Sequence, residues 1–491
     1  MEHNFFKATA VAVLAAAAVF ASAEEATPLP YPTLNLPSVI ENEEVKEHLD
    51  RGMIDLLLGW EESARVHFAH AIELGAATEN ASLMAYCGMM MASSTSGAKD
   101  ANRMLLAENI DKVPSTPVEI FYLNTFLKLM SGDLTGAADD FAERAVKYRR
   151  DTFSALWAAM LYHCAEVGYD VTGRPNSFQE KALKIASALY AQDPQNPIIC
   201  YVRAYIEEGA PQVSEEAYNA AQRAAEGLYE HPMPQLLYGH LLYRAERADE
   251  AVSYFEKAVK LSDNKEIKSC EARLAMTARL YESTALWSAR KTERALASRK
   301  AMNAVPLDRS ALNEVAVIVQ RWEASTLPLR VLVLRGTPPT LSEIRAAANA
   351  ATPIPALPGE DPVLHVRDCL RAALYARARM NQKDESSAQK SLQLARESFK
   401  KFEETQEDVF KLGSVYITPW YRAHEACRIA LLAAGNAVFP DSDEFWKKVA
   451  DAVKQPGNML MPPPLPKQFG PEPPAPPETP KKSAKKTKKR L

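Results

Sequence analysis

The stretch GMIDLLLGWEESARVHFAHAIEL, residues 52–74, decides the fold. Gly52 is followed by Ala64, Phe68 and Ala71, at offsets of 12, 16 and 19 residues. The last three are spaced i, i+4 and i+7, so they share one face of an α-helix. A small residue on the preceding helix lets the phenylalanine ring approach closely. The stretch therefore predicts two tightly packed helices, one on each side of a short turn.

The same spacing returns in GHLLYRAERADEAVSYFEKAVKL, residues 239–261. Partial copies keep some of the positions: Ala137 and Phe141 with Arg144 in the third place, and Ala217, Ala221 and Ala224 after Tyr205. Longer loops, such as residues 168–177, interrupt the period between these copies. The chain is therefore predicted to be a series of helical pairs.

This pattern resembles the tetratricopeptide repeat family, whose 34-residue unit is a helix–turn–helix. Gly59 and Gly132 lie where that family often has a turn glycine, and Ala217 lies 34 residues before Ala251. The resemblance implies an all-α, tetratricopeptide-like solenoid over residues 42–305. The match is fullest in two units, partial in about three more, and fades beyond residue 305.

Residues 306–455 continue with helical periodicity, which predicts either irregular repeats or a separate helical module. Within them, LPLRVLVLRGTPP at 327–339 is compatible with a short strand or a buried extended connection. Residues 24–41 form a proline-rich leader. Residues 456–491, rich in proline and lysine, cannot bury a core and are predicted to be a disordered tail.

Residues 1–23 have the pattern of a secretory signal peptide, with Lys7 before an apolar run and Ala21-Ser22-Ala23 at its end. We therefore expect a bacterial protein exported to the periplasm or secreted. It is not expected to be a lipoprotein, because no cysteine follows the cleavage signature. No later stretch reaches the roughly 18 apolar residues of a membrane-spanning helix, so the mature chain is expected to have none.

The chain has six cysteines with wide spacings and no CxxC motif. Most lie in apolar helical patterns, which favours small buried side chains. One or more bridges between neighbouring helices remain an alternative, since an exported protein can form disulfides.

The sequence contains no GxSxG, HExxH, GxxxxGK(S/T) or GxGxxG motif, and we predict no catalytic residues, no cofactor and no metal site. His67 and His70 are three residues apart, but the helical wheel puts His67 at the margin of the buried face and His70 outside it. Metal binding there would need a third ligand, such as His48 or Glu62.

If the family resemblance holds, a partner is recognised on the concave face lined by each first helix. Aromatic, aliphatic and arginine side chains at those positions suit a protein or peptide ligand. Several of them are equally compatible with simple packing between helices. The positions carried over are Met53, Leu56, Tyr122, Phe126, His240, Tyr243 and Arg244.

The net charge of −4 combines an acidic body with a basic tail. The tail could bind an anionic cell-envelope polymer or membrane surface, fold back on the body, or be a solvated tether. Nucleic acid is not expected as its partner, because no aromatic residue stands between the lysines. The basic residues are Lys481, Lys482, Lys485, Lys486, Lys488, Lys489 and Arg490.

These observations favour a non-enzymatic protein-interaction scaffold of the bacterial cell envelope. One alternative is a glycan-binding or nutrient-capture protein built from helical repeats. Another is an enzyme whose site lies in residues 306–455.

Overall fold

A computed structural model describes residues 40–438 together with Leu34 and Leu36. The gaps in this range are 79–80, 94–95, 166–167, 170–173, 211, 263–272, 290, 292, 296, 299–300, 302–325, 334–337, 351–361 and 413–416. The signal peptide, most of the leader, and the tail lie outside the described residues, so the expectations for them stay predictions.

The described part of the chain is almost entirely helical and has no strand, which confirms the all-α fold class. Consecutive helices pack as adjacent pairs. The helices are α1 Glu43–Leu58, α2 Glu61–Thr78, α3 Leu83–Met91, α4 Ser96–Asn109, α5 Pro117–Met130, α6 Leu134–Lys147, α7 Thr152–Ala165, α8 Ser177–Gln192, α9 Pro197–Glu207, α10 Glu215–Gly227, α11 Pro232–Arg244, α12 Ala248–Ser262, α13 Arg273–Ser288, α14 Leu341–Ala350, α15 Pro362–Asn381, α16 Glu385–Glu404, α17 Gln406–Leu412 and α18 Ile417–Val438.

Short polar residues fix where many of these helices begin. Asn42 accepts hydrogen bonds from two backbone amides of α1, and Asn196 does the same for α9, which has proline in its first turn. Thr116 and Glu119 form a capping box at the start of α5. Each cap satisfies amides that lack a partner within the helix, which contributes about 1 kcal/mol.

Buried and amphipathic helices alternate along the chain. All of α9 except Pro197 is buried, and so is all of α11 except Arg244. By contrast, α10 and α12 bury one stripe of small and apolar side chains. The first helix of each of these pairs thus lies in the interior, and the second helix covers it.

The close packing predicted from the glycine–phenylalanine spacing is present. A Cβ atom added at Gly52 would lie 2.7 Å from the ring of Phe68, and one added at Gly239 would lie 2.7 Å from the ring of Phe255. Both rings are fully buried. Only glycine leaves room for the ring at these two positions.

Four turns between paired helices share one left-handed backbone position, two residues before the second helix. Glycine occupies it at Gly59 and Gly132, with φ of 89° and 93°. Glu246 and Lys383 hold the same position with φ of 62° and 61°. Since a side chain disfavours this conformation, these two turns are held against a local cost.

The pair α15–α16 repeats the spacing beyond residue 305, where the resemblance fades. Ala376 stands in the place of Gly52, and Ala388, Leu392 and Ala395 follow at the same offsets of 12, 16 and 19. All four side chains are buried in a core that runs from Leu329 to Val438. Leucine in the place of phenylalanine explains why the sequence pattern is weak here.

Both structures expected for the valine–leucine stretch within residues 327–339, a short strand or a buried extended connection, are wrong for residues 327–333, because residues 326–333 are helical. Leu329, Leu332 and Val333 instead pack into the same core as α15 and α18. Burial in a helical core outweighs the strand preference of alternating valine and leucine.

The beginning of the array contacts its middle. The hydroxyl of Tyr201, on α9, donates to the backbone oxygen of Leu58 at 3.4 Å. Trp60 meets the ring of His231 edge-on, with centroids 5.1 Å apart. The first helical pair therefore packs against helices that lie more than a hundred residues further along.

Candidate functional site

Six of the seven side chains carried over from the concave face of tetratricopeptide repeats lie inside the protein. Met53, Leu56, Tyr122, Phe126 and His240 are each at most 3% exposed, and Tyr243 is 9% exposed. Arg244 is half-buried. Their role in partner binding stays a prediction, and reaching most of them would require neighbouring helices to move.

Asp55, between Met53 and Leu56, is the centre of a buried polar cluster. Its Oδ1 lies 3.7 Å from Nε2 of His231, and its Oδ2 lies 3.9 Å from Nε2 of His67. Asp55 is 1% exposed and His231 is fully buried. Both distances exceed a direct hydrogen bond, so the three groups interact mainly through charge and dipole.

His231 caps the start of α11 and thereby fixes its own protonation. Its Nδ1 accepts a hydrogen bond from the backbone amide of Met233 at 3.2 Å. An accepting Nδ1 places the ring proton on Nε2, the atom that faces Asp55. The neutral imidazole is therefore the form that fits this site.

His48 and His70 extend the cluster toward the surface. Nδ1 of His48 lies 3.0 Å from Nδ1 of His67, and the rings of His48 and His70 stack with centroids 5.0 Å apart. His48, which the sequence analysis considered as a third metal ligand, thus contacts both His67 and His70. Within the described residues, however, there is no group of three or more His, Cys, Asp or Glu side chains arranged to hold a metal.

Burial is the largest influence on the pKa values of Asp55, His231 and His67. It raises the pKa of Asp55 to about 7, against a hydrogen bond from Ser63 and the charge of Arg51. Burial, followed by the charge of Arg51, lowers the pKa of His231 to about 3 and that of His67 to about 2. At neutral pH these two imidazoles are uncharged, and Asp55 is poised between its two forms.

A second polar network surrounds His240 and Arg244. Nδ1 of His240 lies 2.5 Å from a carboxylate oxygen of Glu208, and the guanidinium of Arg244 donates to the backbone oxygens of Glu208 and Ala210. Burial would raise the pKa of Glu208, but the charges and hydrogen bond of His240, with Arg244 and His163, hold it below its ordinary value. Arg244, expected as a fork for a partner's carboxylate, here clamps the end of α9.

Tyr122 and Phe126 belong to an aromatic core between α5, α6 and α7. The Tyr122 hydroxyl donates to Asp151 at 2.9 Å, and Phe126 packs against Trp157 with centroids 4.9 Å apart. Arg144 stands where the repeat pattern has a small residue. Its guanidinium forms a salt bridge with Asp151 at 2.6 Å and lies over the ring of Tyr148. The departure is accommodated because the guanidinium stacks and pairs at the edge of this core.

The exposed apolar side chains are concentrated in one part of the chain. Nine large apolar side chains of the described residues are exposed, and six of them lie between residues 104 and 148. These six lie on α4, α5 and α6 or directly after them, and we call them together the 104–148 surface: Met104, Leu105, Ile110, Ile120, Val146 and Tyr148. Among the described side chains of α4, only Leu106 is buried, so this helix contributes little to the core.

Sequence reasoning missed Asp55, His231 and Glu208. Asp55 could have been noticed as a carboxylate inside the apolar run MIDLLL, because an ionisable side chain there must be buried or break the helix face. His231 and Glu208 carry no such signal, since their partners lie on other helices.

No protein-family model matches the chain, and no curated protein matches it. The likeness to tetratricopeptide repeats therefore rests on the residue spacing and on the packed helical pairs. Among the described helices, none combines the length and the apolar character needed to cross a bilayer.

Proposed function

We propose that this protein is a non-enzymatic scaffold, a tetratricopeptide-like array that binds a protein partner in the bacterial cell envelope. The observation that carries the proposal is the 104–148 surface. Contiguous exposed apolar patches often mark binding sites on soluble proteins, and the proposal takes these six side chains to contribute to one such site. Val146 is 80% exposed and Met104 is 66% exposed, although both lie within helices.

The location in the cell envelope is supported by the signal-peptide pattern of residues 1–23, which predicts export. Binding of the basic tail to an anionic polymer or membrane surface stays part of the proposal. It is independent of the helical array, because it depends only on charge.

The interior positions of the first helices are a poorer place for the partner. Arg244 already donates to two backbone oxygens, and Tyr122 already donates to Asp151. Replacing either one would disturb the array itself, so loss of a partner in such a variant would not locate the binding site.

The test therefore uses exposed positions. Full-length protein with Met104→Glu and Val146→Glu is compared with a matched control, Leu394→Glu and Leu432→Glu, whose leucines are 58% and 52% exposed. Each protein is used for affinity capture from the native envelope after circular dichroism shows equal helix content. We expect the first variant to lose a partner that the wild type and the control retain. Equal recovery by all three proteins would overturn the assignment of the surface.

A further inference from the structure

Two cysteines from different helices meet inside the C-terminal core. Cys369 lies on α15 and Cys427 on α18, and both are fully buried. The Sγ of Cys427 lies 4.0 Å from the backbone oxygen of Val366, one turn before Cys369 on the same face of α15. The neighbouring Cys369 thiol, after burial, also raises the pKa of the Cys427 thiol, so the two side chains are neighbours in this core.

Small side chains lie next to both cysteines. Ala373 follows Cys369 by one turn, and Ala426 and Ala430 flank Cys427; all three are buried and at most 2% exposed. Small residues on both sides let helix backbones approach, as a disulfide requires, because its Cα atoms lie about 4.4–6.8 Å apart.

The other buried cysteines have different neighbours. Cys200 donates to the backbone oxygen of Pro194 at 3.3 Å, and Cys164 interacts with Tyr201 and Tyr205. Cys270 lies outside the described residues. Cys369 and Cys427, in contrast, lie in one core and influence each other's electrostatic surroundings.

We propose that Cys369 and Cys427 are a disulfide pair, which joins α15 to α18 when the chain folds under oxidising conditions. Both are free thiols in the structure. In forming the bond, each thiol loses its S–H proton to water and one Sγ–Sγ bond is made. The two electrons reduce the disulfide of an exchange partner, such as oxidised glutathione, to two thiols.

Burial determines when this reaction can occur. It holds the pKa of Cys427 well above its ordinary value, together with the hydrogen bond to Cys369, so the folded protein offers little thiolate for exchange. The bond therefore forms while α18 is docking, and it is then protected from reductants in the folded state.

The test refolds the full chain in a buffer of reduced and oxidised glutathione. The product is unfolded in alkylating reagent without reductant and digested with trypsin, which releases the peptides DCLR (368–371) and AHEACR (423–428). We expect these two peptides joined, two hydrogens lighter than their sum, and an unfolding temperature several degrees higher than that of the reduced protein. Alkylation of both cysteines, or a bridge from either one to a different cysteine, would overturn the proposal.

Variants keep the result interpretable. Cys369→Ala should leave Cys427 open to alkylation and remove the rise in unfolding temperature, and Cys427→Ala should do the same for Cys369. Alanine preserves the helices and the apolar character of the core. Cys87→Ala is the matched control, because Cys87 is also fully buried but lies on α3. It should keep both the linked peptides and the rise.

Discussion

Oδ1 of Asp55 lies 3.7 Å from Nε2 of His231, and this relationship joins the first helix of the array to the eleventh. Neither side chain reaches solvent. Together with the contact of Leu58 and Tyr201, it shows that the inner helices pack against one another across the array. The space in which a concave face would hold a ligand is, at this point, occupied by the protein's own side chains.

The buried histidines predict loss of stability in acid. His231, His67 and His48 have pKa values of about 3, 2 and 4 in the folded state, below the ordinary value of 6.5. Between about pH 4 and 6 the unfolded chain therefore binds more protons, and the free energy of unfolding falls as the pH falls. His231→Asn, which can still cap α11, should reduce that slope by about 1.4 kcal/mol per pH unit. Urea unfolding at several pH values measures it, and an unchanged slope would contradict the neutral form of His231.

Asp55 predicts the opposite dependence of stability on pH. Its pKa of about 7 lies above the ordinary value of 3.8, so burial of its charge costs stability as the pH rises from about 4 to 7. Asp55→Asn should therefore be more stable than the wild type at pH 8 and show a steeper loss of stability in acid. The same urea series checks this. A marked loss of stability at pH 8 would mean that the charged carboxylate is favoured by Arg51 and the histidines.

Gly52→Ala and Gly239→Ala should each lower the free energy of unfolding by about 1–3 kcal/mol, because the added methyl group meets a buried phenylalanine ring at 2.7 Å. Gly435→Ala is the control. It lies in α18 with no atom within 4 Å of the added carbon. There, alanine should stabilise by roughly 0.5–1 kcal/mol through its better helix propensity. Chemical denaturation measures all three; equal effects would show that the rings are not packed on the glycines.

The two strained turns predict gains in stability. Lys383→Gly and Glu246→Gly relieve a left-handed backbone conformation and should raise the free energy of unfolding by up to about 1 kcal/mol. Gly132→Ala, at the same place in another turn with nothing nearby to clash, should lower it by a similar amount. Thermal unfolding shows whether each of the three variants is more or less stable than the wild type. A loss of stability in Lys383→Gly would mean that its turn differs from that of Gly132.

The parts of the fold that could be predicted are contacts between residues that lie close together in the chain. Gly52 and Phe68 are 16 residues apart, and both their spacing and their chemistry are visible in the chain. The pair α15–α16 was not evident because Leu392 and Lys383 replace the phenylalanine and glycine that mark the unit. Asp55 and His231 could not be paired at all, since their approach depends on how many helical pairs separate them and how each one tilts.

The central claim is that a partner binds the 104–148 surface, and crosslinking mass spectrometry in the native cell tests it most directly. Lys99, Lys112 and Lys147 lie beside this surface in the chain, whereas Lys390, Lys400 and Lys401 lie on α16. We predict that crosslinks to a partner protein concentrate on the first three lysines and disappear with Met104→Glu and Val146→Glu. Crosslinks that persist in that variant, or that concentrate on α16, would contradict the claim.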